Sequence, residues 1–326
     1  MQLKGYGSAP GKIILSGEHS VVYGYPALAI AINLRCEVET ELNGDELVIE
    51  SNELNEKFVY SPEDCNNVFE GKPKTKVDNI AFAALSTLKL VQDSSLLNIH
   101  IKSQIPISAG LGSSAAVVVA TIASIADLFQ KQIPLAEISD LAFEAEKITH
   151  GKPSGIDNSI ATHGGLIHFE NGNIENKVIT NHIPIIIGNS QIARDTKILV
   201  AGVAELRRAN PDIINPVIKT MGKLTLELEE AVLSIDIDKI GELFDINQGL
   251  LDSIGVGHSK LSQMIWMARK FGAIGAKLTG AGGGGCMIAI TKTDEEASDV
   301  ASKMEASGLS IISTQMSKTG VKQGRG

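Results

Sequence analysis

The chain has 326 residues, 43% of them hydrophobic and 21% charged, enough to bury one large core or two ordinary ones and too apolar for a disordered protein. Its net charge of −9 argues against a general nucleic-acid binder, because nucleic acid is held through neutralised phosphates and needs a basic face. Cys36, Cys65 and Cys286 are odd in number, widely separated and without zinc-site spacing. Neither a disulfide framework nor structural zinc is expected, and a reducing, cytoplasmic setting suits them.

The start, Met1-Gln-Leu-Lys-Gly-Tyr-Gly, has no apolar run after a basic stretch, so no export signal is expected. The longest apolar run, 115–126, is too short to span a bilayer, and no membrane partner is expected. Aromatic content is 4% with a single tryptophan, Trp266, while glycines number 32. Stacking on single strands is therefore disfavoured and sites built from backbone groups are favoured.

In chain order, residues 24–49 are β-branched and partly alternating, with Asn43-Gly44-Asp45 predicted as a hairpin turn between two runs. Helices are predicted over 77–91 and 113–130, with a strand at 96–102 between them. Over 135–148 apolar residues fall at 138, 141, 142, 145 and 148, one face of a helix whose polar edge carries Glu144 and Glu146. Strands at 165–169 and 183–188 flank a polar stretch from Asn171 to Asn176. A lobe boundary is placed near 180, giving lobes of 1–180 and 181–326. The second half reads as helices at 195–208, 211–234, 237–252 and 258–270, strands at 274–278 and 285–291, a helix at 294–306 and a strand at 309–315. That order predicts an α+β protein with helices on one side of an antiparallel sheet in each lobe.

Four segments carry candidate chemistry. Ser8-Ala-Pro-Gly-Lys-Ile-Ile-Leu-Ser-Gly-Glu-His-Ser-Val-Val-Tyr-Gly24 puts Lys12, Glu18 and His19 within eight residues, and its plain alternative is a β-hairpin with solvated charges. Pro106-Ile-Ser-Ala-Gly-Leu-Gly-Ser-Ser-Ala-Ala116 follows a strand and opens into a helix. Glycines there let backbone amides approach a ligand, and the unpaired amides of a helix start attract phosphate. The segment is not a Walker A loop, and its match to a dinucleotide fingerprint fails because the acidic residue downstream, Asp127, falls inside a helix.

In Glu146-Lys-Ile-Thr-His-Gly-Lys-Pro-Ser-Gly-Ile-Asp157-Asn, one carboxylate ends a helix and the other follows a Gly/Pro-rich turn. The spacing allows both to face one pocket, as one metal ligand and one general base, against the plain reading of a capped helix end and a surface turn. Lys277-Leu-Thr-Gly-Ala-Gly-Gly-Gly-Gly-Cys286 has five glycines in the six positions from Gly280 to Gly285. It reads either as a flexible hairpin or as a second wall of phosphate or substrate contacts, and glycine at this density weakens a fold unless used.

Pro10-Gly-Lys-Ile-Ile-Leu-Ser-Gly-Glu-His, Gly110-Leu-Gly-Ser-Ser-Ala-Ala and Leu278-Thr-Gly-Ala-Gly-Gly-Gly-Gly-Cys resemble, in order, the three motifs of the galactokinase, homoserine kinase, mevalonate kinase and phosphomevalonate kinase superfamily. The resemblance covers nearly the whole chain. The continuation Gly17-Glu-His-Ser-Val-Val-Tyr-Gly24 and the segment His150-Gly-Lys-Pro-Ser-Gly-Ile-Asp-Asn158 are most similar to the mevalonate kinase branch. The resemblance implies an N-terminal lobe like ribosomal protein S5, a ferredoxin-like C-terminal lobe, ATP-dependent phosphorylation of mevalonate with Mg2+, and a homodimer.

It implies that Asp157 takes the proton from the substrate hydroxyl while Lys12 lowers that hydroxyl's pKa. Ser114 and Glu146 would hold Mg2+, with Ser113 the alternative to Ser114. Pro106, Ala109, Gly110, Leu111, Gly112, Ser113, Ser114 and Ala115 would surround ATP. His19, Glu18, Thr196, Gly282 and Gly283 would meet the hydroxy acid, although the family more often has Ser where Asp195 stands. Gly282 to Gly285 read alternatively as a hinge for closing the cleft. A sister kinase for phosphomevalonate, homoserine or a sugar, and a non-catalytic nucleotide sensor, are the competing readings. Retention of Lys12, Glu146 and Asp157 together argues against the sensor.

Overall fold

The computed structural model describes residues 3–72, 74–150, 153–179 and 182–325, with the side chains of 149 and 150 excepted. In the first half, β1 (Lys4–Ser16) and β2 (Ala27–Asn43) are long strands, followed by β3 (Leu47–Ser51), β4 (Glu56–Tyr60), α1 (Pro62–Phe69), α2 (Asp78–Val91) and β5 (Leu96–Ser103). Then come α3 (Ser113–Leu128), α4 (Leu135–His150), α5 (Ile156–His163), β6 (Leu166–Glu170) and β7 (Asn173–Lys177). The second half holds β8 (Ile185–Asn189), α6 (Thr196–Ala209), α7 (Pro211–Ser234), α8 (Ile237–Ser253), α9 (Ser259–Phe271), β9 (Gly275–Thr279), β10 (Cys286–Ile290), α10 (Asp294–Ala306), β11 (Ser310–Ile312) and β12 (Lys322–Gln323).

Two sheets result. The first has the order β12-β1-β2-β5-β3-β4, with β6 and β7 continuing from β2. The second has the order β11-β8-β10-β9 and is antiparallel throughout. The architecture is the expected α+β one of two lobes. The expected boundary falls at 180 and 181, which lie outside the described residues, and β12 brings the last part of the chain back to β1 in the first sheet.

The Asn43-Gly44-Asp45 hairpin does not form as predicted. β2 pairs with β5, and β3 lies on the far side of β5, parallel to it and antiparallel to β4. A turn signal fixes a chain reversal but not which strand fills the neighbouring place. The stretch expected to be a polar connection is β7, paired with β6 and carrying mostly exposed side chains. The strand expected at 309–315 is shorter, at Ser310–Ile312.

The apolar run noted in the sequence is α3, buried from Ala115 to Ala126. A helix that is apolar all round belongs in a core, and its alanines and serines let it press onto β1. Gly5 and Gly7 on β1 make that possible, since a Cβ at either would stand 2.1 or 2.2 Å from an α3 carbonyl oxygen. No helix among the described residues is long and apolar enough to cross a membrane. The rigid contact of α3 with β1 holds the start of α3 next to Lys12, which is the first element of the site.

Candidate active site

Gly112 caps α3 with φ +77° and no side chain caps the helix, so the first amides of α3 point outward without a capping partner. Any residue with a Cβ at Gly112 would be strained and would stand 2.8 Å from Lys12 Cγ. The loop is tied directly to β1, because Lys12 N–H donates to the Leu111 carbonyl at 2.8 Å. Pro106, Gly110, Gly112, Ser113 and Ser114 line a cleft of about 600 Å³. Ala109, Leu111 and Ala115, expected to contact ATP, are buried in the core and support the loop from behind. An amide cluster at a helix start is an anion site by geometry and dipole together.

The two serines are distinguished by one bond. Asn79 Nδ2 donates to Ser114 Oγ at 3.0 Å. Asn79 is held in reach because its neighbour Asp78 accepts from Tyr60 Oη at 2.6 Å and from Thr75 N–H, fixing the start of α2. The sequence offered no signal for Asn79, which lies in the first turn of an otherwise ordinary amphipathic helix.

Lys12 Nζ stands 3.0 Å from Asp157 Oδ1. The turn read before Asp157 is in fact the start of α5, capped by Gly155, with Asp157 in its first turn. The part 151–152 of that turn lies outside the described residues. α5 is held on α4 by Asn158 Nδ2, which donates to the Ser139 carbonyl and approaches Ser139 Oγ, both at 3.0 Å. Ser139 and Glu146 are two helical turns apart on one face of α4, so this anchor brings both carboxylates to the same place. Burial first, then the Asp157 charge, push Glu146 up to about 8, while Lys12 opposes the shift. Glu146 Oε2 is buried without a hydrogen-bond partner.

The opposite wall comes from the second lobe. Thr196 opens α6 and lines the cleft. Asp195, where the family pattern differs, is the N-cap of α6 and accepts from Lys197 N–H and Ile198 N–H. A serine would do the same job, so the departure preserves the local structure. Arg194, missed in the sequence reading, also lines the cleft and donates to the Thr279 carbonyl at 3.1 Å. It presses on Gly110, where a Cβ would meet Arg194 Nη2 at 1.6 Å, and on Gly280 and Gly285. The arginine was visible in Ala193-Arg-Asp-Thr-Lys, but nothing local placed it across from Gly110.

Within the glycine-rich segment, Gly280 and Ala281 line the cleft, whereas Gly282 and Gly283 pack inward. A Cβ at Gly282 would stand 2.2 Å from the Val256 carbonyl oxygen, and one at Gly283 would stand 2.9 Å from Leu199. These glycines serve close packing here, which does not suit a free hinge. His19 is buried with φ 60°, and its Nε2 donates to the Ala281 carbonyl at 2.9 Å. That bond leaves Nδ1 as an acceptor, buried and without a partner. Burial also lowers the His19 pKa. Glu18, expected at the substrate, instead points into the protein and pairs with Lys277.

The arrangement offers amides suited to phosphate at the start of α3 and a carboxylate suited to take a proton at Asp157, the two features that kinases acting on small hydroxyl compounds need. The family model for the GHMP kinases N terminal domain matches residues 79–165, and that for GHMP kinases C terminal matches 228–309. Mevalonate kinase of Thermococcus gammatolerans is 39% identical, the match covering 97% of each chain. That of Pyrococcus furiosus is 37% identical, covering 98% of each. Among solved structures, mevalonate kinase of Methanococcus jannaschii superposes with a TM-score of 0.83 at 29% identity, covering 96% of this chain and 98% of the other. The chain belongs to the mevalonate kinase family of the GHMP kinases.

Proposed function

We propose that this chain transfers the γ-phosphoryl group of ATP to the primary hydroxyl of mevalonate, giving 5-phosphomevalonate and ADP. The observation that carries the reading is the Lys12–Asp157 pair, 3.0 Å apart, beside the outward-pointing amides of α3. Asp157 accepts the hydroxyl proton as the substrate oxygen bonds to the γ-phosphorus. The bond from that phosphorus to the β,γ-bridging oxygen breaks, and its electron pair leaves on ADP. Lys12 steadies the charge on the attacking oxygen, and the amides of Gly110, Gly112 and Ser113 hold the phosphates. Arg194 supplies a further cation on the opposite wall.

The residues fit Mg2+. Glu146 offers a buried, unpartnered carboxylate oxygen, and Ser114 a hydroxyl oriented by Asn79. Among the described residues there is no cluster of three His, Cys, Asp or Glu side chains for a metal. A hydroxyl and one carboxylate suit an ion that takes its other ligands from water and phosphate oxygens. When bound, Mg2+ neutralises charge on the β- and γ-phosphates.

Neutral His19, with Nδ1 as acceptor, and Thr196 face the hydroxy acid in this reading. The two lobes are taken as divided near residue 180, with β12 returning to the first lobe, the cytoplasm as the compartment and a homodimer as the assembly. The test assays wild-type and Asp157→Asn protein with ATP and Mg2+ against mevalonate, phosphomevalonate, homoserine and galactose, following ADP release. Turnover on mevalonate alone, largely lost in Asp157→Asn while nucleotide still binds, is the expected result. Turnover on another acceptor would keep the chemistry and overturn the substrate, and none on any acceptor would favour a nucleotide sensor.

A further inference from the structure

The two lobes meet along a seam formed by the ends of β1 and β9. β1 carries Lys12 and runs on to Glu18 and His19, while β9 runs into Gly280 and Ala281 on the cleft wall. Thr279 Oγ1 accepts from Ile14 N–H at 3.0 Å and donates to the Ile14 carbonyl at 2.9 Å. His19 adds its bond to the Ala281 carbonyl.

Behind these contacts lies Lys277, whose Nζ donates to the Glu18 carboxylate and, at 2.7 Å, to the Leu278 carbonyl. The two side chains are 0% and 1% exposed, the most deeply buried ion pair among the described residues. Asn247 of α8 approaches the other Glu18 oxygen at 3.5 Å and Ser16 Oγ at 3.4 Å. Ser16 in turn bonds Thr225 of α7 at 2.8 Å.

A buried ion pair is weak grounds for stability, since well-packed apolar residues of similar volume often hold a fold as well or better. The turn it anchors also contains His19 at φ 60° and ψ −42°, a sparsely populated positive-φ conformation that persists only where the surroundings over-determine it. We propose that Lys277 is a positioning residue for the phosphoryl acceptor. Through Glu18 it fixes the Gly17–His19 turn against the Gly280–Ala281 wall, and so sets where the acceptor sits relative to Lys12 and Asp157. The proposal rests on the function given above and reassigns Glu18 from substrate contact to a link between the lobes.

The experiment compares wild type, Glu18→Gln, Lys277→Met and the double variant by thermal midpoint, kcat and KM for each substrate. Each single variant leaves one group buried without its partner and lowers the midpoint, and the double variant recovers most of it. In the double variant kcat/KM for mevalonate stays reduced by roughly tenfold to a hundredfold, the scale of a misplaced reactant, while KM for ATP stays near wild type. A double variant with recovered midpoint and wild-type kcat/KM for mevalonate overturns the proposal. Glu18→Asp, which keeps the charges but draws the turn inward by one methylene, serves if the double variant does not fold. There, wild-type kcat/KM overturns the proposal and a reduced value with a wild-type midpoint supports it. If wild type turns over a different acceptor, the functional reading falls and the same comparison is made with that acceptor.

Discussion

Lys12 of β1 and Asp157 of α5 stand 3.0 Å apart, although 145 positions separate them in the chain. β1 and α5 both pack on α3, which is why the pair does not depend on a loop. A base held this way contributes to the rate when it takes the proton as the phosphoryl group transfers. Asp157→Asn is therefore expected to lower kcat by about 10²- to 10⁴-fold with little change in ATP affinity, as read by steady-state kinetics and nucleotide titration. A variant retaining more than a tenth of wild-type kcat would remove Asp157 from that role.

Glu146 gives a pH dependence with a defined sign. Its folded pKa, raised to about 8, lies above the ordinary carboxylate value of 4.5, so at neutral pH the free protein keeps this carboxyl mostly protonated. Cation binding must displace that proton. Mg2+-dependent nucleotide affinity should rise with pH up to about 8, with protons released on binding, as calorimetry in buffers of different ionisation enthalpy would read. In the apo protein the same shift adds stability below pH 4.5 that is lost as pH rises through 8. Glu146→Gln should flatten both trends, and pH-independent Mg2+ affinity in wild type would contradict the assignment.

Ser114 rather than Ser113 receives the bond from Asn79. Ser114→Ala is expected to weaken Mg2+-nucleotide binding more than Ser113→Ala does, with little difference between the two when nucleotide is titrated without metal. An equal loss in both variants would mean that the Asn79 bond does not select the ligand.

Gly110 has φ +79° and faces Arg194 across the cleft. Gly110→Ala strains the loop and drives a methyl into the guanidinium, so it should lower kcat/KM for both substrates. Arg194→Met should reduce kcat more than it reduces thermal stability. If Gly110→Ala remained fully active, the close approach of the two lobes at this point would not be part of the working enzyme.

Asp195 caps α6 with two backbone bonds. Asp195→Ala is expected to cost about 0.5–2 kcal/mol of stability by denaturant titration, and Asp195→Ser to recover most of it. Matching losses in the two variants would show that the carboxylate does more than cap.

Local signals carried most of the element list but not α1, α5, β4, β7 or β12. Helical periodicity marked α4, the uninterrupted apolar run marked the buried α3, and glycines before Ser113 marked a helix start able to hold anions. These are properties of neighbouring residues, and so is the motif resemblance that supplied the family and the roles proposed for Lys12, Glu146 and Asp157. The amino-acid order by itself therefore determined the class of fold, the family and the kind of chemistry.

Other features depended on contacts between distant segments. β3 pairs beside β5 rather than with β2, because a strand takes whichever sheet edge the surrounding core leaves for it, and a turn motif does not encode that choice. Glu18 lies next to His19 in sequence but turns inward to Lys277, 259 positions away. Arg194 and Asn79 acquire their places only through Gly110 and Ser114 on another element. Only the tertiary structure decided these, since burial and partner geometry, which set the orientation of a charged side chain, do not exist until the two lobes have closed on each other.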